Sequence, residues 1–417
     1  MMSRSFPRFF LVLLLVVFVS TITGTAVAGR AALPRTGQTQ CYGSNGSLVA
    51  CTGSAQDGEL QAGQEWPAPR FVENPDGTLT DKLTGLTWLK DANCLGTHYQ
   101  ADYGNHDTVT WEQALGFVAG VNSGMYSLCG AGHTDWRLPN VLELESLWQD
   151  GAANAGWLES QGFANVGGGY WSSTTSSLYP DGCNAIFVDL EFGQIANVDK
   201  SSYGTVLLVR GGQLDGTPDK NFPANVWRTG QTASWHAGDD GAIRAGVAWP
   251  TPRFTDNGDG SVTDNLSGLV WFKDANCIAN HYPEVDADGL VDWSSGLAFV
   301  AGINDGTYGQ CGAGKTDWRL PNRKEMLSLI DFSHYNPALP SGHPFLNVGL
   351  ASPAEYWTAT TKLLSTDKAW ETWIRAGDTG ASDKEASTRY VWPVRGESRV
   401  TPQPTNLAPG YLLLLDD

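Results

Sequence analysis

Two periods of apolar residues alternate along the chain. Ala114, Leu115, Val118 and Val121 fall three and four apart, the stripe of a helix with one buried face, and Thr110 stands before them with Gln113 three places on, the spacing of a capping box. A matching stripe of Leu297, Val300 and Ile303 follows Asp292. A second helix is predicted to open at Asn140, with Glu143 at its third position and Leu144, Leu147 and Trp148 beyond, and its twin opens at Asn322 with Glu325. Arg137 and Arg319 precede these helices, where an arginine commonly pins a turn through a carboxylate or a carbonyl. Around them lie short strand-like pieces. Asn74-Pro75-Asp76-Gly77 separates Arg70-Phe71 from Thr78-Leu79-Thr80-Asp81, with Gly85 to Leu89 next, and an Asp-Gly step between β-formers reads as a hairpin. Further strands are predicted at Tyr170–Thr175, Ala185–Leu190 and Thr205–Arg210, then at Tyr356–Thr361, Trp370–Arg375 and Tyr390–Arg395. The fold class is α+β, with two helices and an irregular, mostly antiparallel sheet in each stretch.

The two stretches are copies of one unit. Arg35-Thr36-Gly37-Gln38-Thr39 returns as Arg228-Thr229-Gly230-Gln231-Thr232, and Trp66-Pro67-Ala68-Pro69-Arg70-Phe71 returns as Trp249-Pro250-Thr251-Pro252-Arg253-Phe254. Lys90 to Cys94 returns as Lys273 to Cys277, Thr134 to Asn140 as Thr316 to Asn322, and the closing Val209-Arg210-Gly211 as Val394-Arg395-Gly396. A period this long marks duplicated globular domains. We therefore expect domains at residues 29–215 and 222–398, followed by a tail at 399–417.

Ahead of the first copy, Arg4 and Arg8 precede an apolar run from Phe9 to Val19 and then Ala26-Val27-Ala28, the layout of a cleavable secretory signal over residues 1–28. The run is shorter than the ~20 residues that a membrane-spanning helix needs. Export to the periplasm, the cell surface or the medium follows, in an oxidising compartment where the seven cysteines read as disulfides. The repeat sorts them: Cys94 with Cys129, Cys277 with Cys311, Cys41 with Cys51 in a small loop of the first copy, and Cys183 left over as a buried thiol or an intermolecular link.

The net charge of −18 becomes −20 once Arg4 and Arg8 leave with the signal, which disfavours nucleic acid, anionic lipid and sulfated polysaccharide as partners. Seventeen tryptophans are the compositional outlier. Those that recur in pairs, at 66/249, 88/271, 111/293, 136/318 and 171/357, read as core. Trp148, Trp157, Trp227, Trp235, Trp370, Trp373 and Trp392 are freer to serve a surface, although Trp370 and Trp373 lie an odd number of steps apart on one strand and so point to opposite faces. The polar runs Ser172 to Thr175 and Thr358 to Thr361 beside Trp171 and Trp357 offer a sugar-binding rim or a plain strand edge. The expected binding residues are Trp171, Ser173, Thr174, Trp357, Thr360, Trp370 and Trp373. No nucleophile elbow, zinc-protease motif or phosphate loop occurs, and the duplicated His98 and His281 read as packed or hydrogen-bonding residues, so no catalytic residue is assigned. Asp256-Asn257-Gly258-Asp259-Gly260 lacks the glutamate of a calcium loop and reads as a turn; no metal or other cofactor is predicted and calcium is not favoured.

Trp-Arg-Leu-Pro-Asn with Glu143 or Glu325 behind it, then Tyr-Trp, then the closing Val-Arg-Gly, give both copies a resemblance to the DUF1566 family, also called the Lcl C-terminal domain after a collagen-like adhesin of Legionella. The resemblance covers about residues 35–212 and 228–396. It implies a compact exported module related to the C-type lectin-like fold, with loops that bind. That adhesin's domain is associated with sulfated glycosaminoglycans, which this chain's acidity and its lack of a basic cluster in the matching loops argue against. The expected function is recognition or adhesion, through a glycan or an extracellular protein surface. The alternatives are an oxidase akin to sulfatase-modifying factors, which would need reactive cysteines late in the domain, and a structural envelope component without a ligand.

Overall fold

A computed structural model describes residues 30–104, 106–349 and 354–396; the expected signal at 1–28 and the tail at 399–417 lie outside the described residues. Each copy opens and closes in one small antiparallel sheet. In the first copy Phe71–Glu73, Thr78–Asp81 and Leu86–Leu89 are joined by Val209–Gly211 from the far end, with Trp88 opposite Val209. In the second, Phe254–Asp256, Ser261–Asp264 and Val270–Phe272 are joined by Val394–Arg395, with Trp271 opposite Val394. The predicted turn ends at Gly77, whose φ of 82° suits a residue without a β-carbon.

Helix α1 (Trp111–Asn122) carries the expected capping box at Thr110, and helix α2 (Val141–Ser146) carries one at Asn140. Their twins are α3 (Trp293–Asp305), capped by Asp292, and α4 (Arg323–Ser328), boxed by Asn322 and Glu325. Helix α2 stops short of the predicted Leu147 and Trp148, because the chain turns there to set Trp148 edge-on to Trp370 and to bond the Asp150 amide to the Thr36 carbonyl. Both arginines before the short helices make a paired bond to the boxed glutamate: Arg137 to Glu143 at 2.5 and 2.6 Å, Arg319 to Glu325 at 2.7 and 2.6 Å. Each also reaches the carbonyl that ends its copy, at Gly211 or Gly396. All three expected disulfides are closed, at Cys41–Cys51, Cys94–Cys129 and Cys277–Cys311.

The largest sheet belongs to both copies. Strands β1 (Gly169–Thr175), β2 (Asn184–Asp189) and β3 (Ile195–Asp199) form one antiparallel half, and β4 (Glu355–Thr361), β5 (Lys368–Trp373) and β6 (Asp378–Asp383) the other. The halves meet where Ile195 of β3 pairs with Thr379 of β6. Sequence periodicity missed β3 and β6. It also overextended the closing strands, since only Val209–Gly211 and Val394–Arg395 enter ladders; Thr205 and Tyr390 make single bridges, and Val206, Leu207 and Leu208 are buried core residues outside any ladder.

A second exchange ties the copies more tightly. The segment before each small sheet is an arm that leaves its own copy and completes the other. The Ala31 amide bonds the Leu266 carbonyl at 2.8 Å, and the Ala224 amide bonds the Leu83 carbonyl at 3.0 Å. Gln38 brackets the main chain of Thr361, accepting from its amide at 3.0 Å and donating to its carbonyl at 2.7 Å, and Gln231 brackets Thr175 in the same way. Asn140 donates to the Ala245 carbonyl and Asn322 to that of Ala62, both at 3.1 Å. Arg30 and Gly396 both lie against Gly268, so the first and last described residues come together.

The exchange is symmetric in its hydrogen bonds but not in its charges. Arg323 and Lys324 open α4 fully buried; Arg323 bonds Glu145 of α2 at 2.9 Å and covers the Trp370 ring at 4.1 Å, while Lys324 reaches the Glu145 carbonyl at 3.0 Å. Asp150 stands 3.9 Å from the Arg323 guanidinium. The repeat-equivalent positions are apolar: Val141 and Leu142 stand for Arg323 and Lys324, and Leu327 stands for Glu145.

Two outcomes test this architecture. Residues 30–212 and 213–396 produced separately should fail to run as folded monomers on size exclusion, and co-expression should restore one compact species; a compact monomer from either half alone refutes the exchange. Glu145→Ala should destabilise by about 3–5 kcal/mol in denaturant melts, since it strands two buried cations.

Candidate functional site

The predicted rim is an internal seam. Both strands that carry it break register, between Trp171 and Thr175 and between Trp357 and Thr361, and the bulge frees main-chain groups for other partners. The Ser173 amide turns to the Pro139 carbonyl and the Ala359 amide to that of Pro321, both at 2.8 Å. Ser172 and Thr358 fill the gap in the ladder by donating to the carbonyls of Ile186 and Trp370, at 2.7 and 2.8 Å. Trp171, Ser173, Thr174, Trp357, Thr360 and Trp370 are all buried, which corrects their reading as a solvent-facing rim. The other copy's arm covers Thr174 and Thr360, whereas Trp171 and Trp357 lie in the cores of their own copies and Trp370 is covered by Arg323 and Trp148. Trp373 alone is half-buried, donating to Glu371 at 3.3 Å. Trp171 and Trp357 instead donate to the Val109 and Val291 carbonyls, and Trp111 and Trp293 to those of Ser172 and Thr358.

At the centre of each seam lies a buried carboxyl that no local sequence pattern marks. Asp57, in the helical turn Asp57–Leu60 of the first arm, accepts hydroxyl bonds from Thr36 of its own arm and Thr360 of the other copy, both at 2.7 Å. Asp240 accepts from Thr229 at 2.6 Å and from Thr174 at 2.8 Å. Thr174 and Thr360 in turn accept the first helical amides of α2 and α4, at 3.1 Å. Burial pushes Asp57 up to about 7, with Asp150 and Glu325 adding to it, and pushes Asp240 up to about 6, with Glu143 adding to it and Arg137 opposing.

Beyond these clasps the two copies part company. Lys384 is fully buried over the Trp293 ring, its ammonium bonded to Thr361 Oγ1 at 2.9 Å and to the carbonyls of Thr366, Tyr42 and Gly43 at 3.0, 3.2 and 3.4 Å. Tyr42 and Gly43 belong to the disulfide-closed hairpin of the first arm, which lies across this part of the second copy; there Thr366 Oγ1 also bonds the Gly46 carbonyl, and Ser44 bonds Glu385. Lys200 is the twin of Lys384, 3.8 Å over the Trp111 ring and bonded to Thr175 Oγ1 at 2.9 Å. It is only half-buried, because the second arm has no hairpin: nine steps separate Gln231 from Asp240, against nineteen from Gln38 to Asp57. Trp235, at the place of Tyr42, lays its indole on Gly182 and stays 49% exposed, with Tyr179 at 48% in the same turn. Desolvation holds both amines down, to about 8.

Other candidate chemistry is accounted for by partners. Ligand atoms of Asp91, Cys94 and His98 lie within 4.8 Å of one another, but the Cys94 sulfur is in a disulfide and offers no thiolate to a metal. The glycine-rich turn of the second copy holds Asp256 against Lys273 at 2.7 Å and Asp259 against Ser261 at 2.6 Å. Cys183 is half-exposed and not the buried thiol expected, and the neighbouring Asp181 carboxylate raises its pKa, which keeps it protonated and poorly nucleophilic.

The family model of the Lcl C-terminal domain matches the chain twice, at residues 77–210 and 260–395. No curated protein matches the chain. No helix among the described residues is long and apolar enough to cross a membrane.

The clasps make stability depend on pH with a definite sign. A carboxyl whose folded pKa exceeds its unfolded value near 3.8 stabilises the protonated fold, so its contribution is complete below pH 4 and is lost as pH rises to about 6 at Asp240 and about 7 at Asp57. The Asp57→Asn/Asp240→Asn double variant should match the parent in thermal melts at pH 4 and exceed it at pH 8, by roughly 1.4 kcal/mol for every pH unit that separates a folded carboxyl's pKa from its unfolded one. A gap that widens toward low pH contradicts this assignment.

Proposed function

Because the chain belongs to the Lcl C-terminal domain family in both its halves, we propose that it is an exported recognition protein whose modules, kin to the C-type lectin-like fold, bind a glycan or an extracellular protein surface. The observation that carries this reading is the unequal cover of two equal sites. The second copy is sealed by the hairpin, while the first presents a half-buried ammonium, an exposed indole and an exposed phenol around Gly182. An aromatic ring with a polar group beside it is the equipment with which proteins hold a sugar face or a peptide. Three disulfides support an oxidising compartment. The net charge of −18 favours neutral or basic partners over sulfated ones.

An oxidase reading is weaker, since Cys183 is the one free cysteine among the described residues and its thiol is held protonated. The test is a screen of the purified protein against immobilised neutral glycans and matrix proteins, repeated with Tyr179→Ala. The parent should bind at least one ligand and the variant should lose about tenfold in affinity with an unchanged melting temperature. Failure of the parent to bind anything would leave a spacer role in the envelope.

A further inference from the structure

We infer that the Lys200 site of the first copy is a receptor for a polypeptide turn that presents main-chain carbonyls, and that Trp235 is a movable plug standing where such a turn belongs. The inference rests on the recognition reading above and narrows its ligand to polypeptide.

The second copy shows the occupied form of the same site. Around Lys384, two of the four bonds to the ammonium come from consecutive carbonyls of the hairpin, Tyr42 and Gly43. The hairpin tip sits on the loop beside them: a β-carbon on Gly46 would stand 2.9 Å from the Asp367 amide. An ammonium has three donors, and a half-buried one is stabilised when all are used. Lys384 reaches that state through another segment's main chain. Lys200 follows β3 as Lys384 follows β6, and lies over Trp111 as Lys384 lies over Trp293; its amide bonds the Cys183 carbonyl as the Lys384 amide bonds that of Asp367. Among the described residues its ammonium has one hydrogen-bond acceptor, Thr175 Oγ1. The arm carboxylate that acts electrostatically on Lys200, Asp239, is already taken by the amides of Trp235, His236 and Ala242.

The loop that receives the hairpin tip has its own counterpart in the first copy. Thr366 and Asp367 correspond to Gly182 and Cys183, and an added β-carbon on Gly182 would lie 2.6 Å from the Trp235 ring. Glycine at 182 therefore admits the indole, and the indole covers the place of the tip. A side chain that remains 49% exposed is a poor seal beside a disulfide-closed hairpin. A ligand turn would displace it and bring carbonyls to Lys200. A ligand with a positive charge at that point would be repelled by the same ammonium.

The probe is the synthetic disulfide-closed peptide of residues 39–53, Thr-Gln-Cys-Tyr-Gly-Ser-Asn-Gly-Ser-Leu-Val-Ala-Cys-Thr-Gly, titrated into the full chain by calorimetry. Saturating peptide should slow acetylation of Lys200 at pH 8, read by peptide mass mapping, at least tenfold. Lys200→Met should weaken binding at least tenfold, and Trp235→Ala should strengthen it, whereas a sugar stacked on the indole would be weakened by the same change. Unchanged Lys200 acetylation, or equal affinity in the Lys200→Met variant, overturns the inference whatever the variants' stability. Glycan binding by a parent that ignores the peptide sinks this inference and leaves the recognition reading standing; binding of neither sinks both.

Discussion

Each half of the molecule is left unfinished at the same point, where a bulged strand meets the start of a capped helix, and the rest of the architecture depends on how that point is closed. The bulge turns a threonine hydroxyl and a pair of main-chain groups away from the ladder, and none of them can be left bare in a buried position without destabilising the fold. The arm of the other half supplies a glutamine to the main chain and an aspartate to the hydroxyl. Closing a seam with a buried carboxyl that has two hydroxyl donors and no bonded cation disfavours its ionised form, and burial accordingly raises the pKa of both Asp57 and Asp240. The same geometry is directional: a hydroxyl, a carboxylate and a helix amide must line up across two copies.

Such a seam, being symmetric, would serve two identical chains as well as one duplicated chain. The buried charges remove that equivalence. Arg323 and Lys324 need Glu145 and Asp150, and a pairing of two second copies would set them against Leu327 and Phe332 instead. We regard the charged cluster as the device that fixes which half meets which, a role attested for buried polar groups elsewhere. The same loss of symmetry at the hairpin leaves one lysine sealed and its twin half-exposed.

How legible this was in the sequence follows from the range of each interaction. The capping boxes at Thr110, Asn140 and Asn322, the arginine clamps and the disulfides were readable because their partners lie at short or repeated spacings. The duplication likewise marked Trp111 and Trp293 as core. Strands β3 and β6 were not readable: Asp378-Thr379-Gly380-Ala381 has no apolar alternation, and its ladder is set by neighbours on either side. The serine and threonine runs looked like a rim because their cover comes from 66, 303 and 323 residues away along the chain, distances at which composition carries no signal. Lys200 and Lys384 carry no local mark either, although the unequal lengths of the two arms were in plain view.

The meeting of Arg30, Gly268 and Gly396 has a mechanical meaning. Whatever is attached to either end of residues 30–396 joins the body at one pole, so tension between those attachments passes through the junction at Gly268 and the Arg319 clamp on the Gly396 carbonyl, and not through the central sheet. A load applied at that pole leaves the Lys200 face and the clasped seams unstrained.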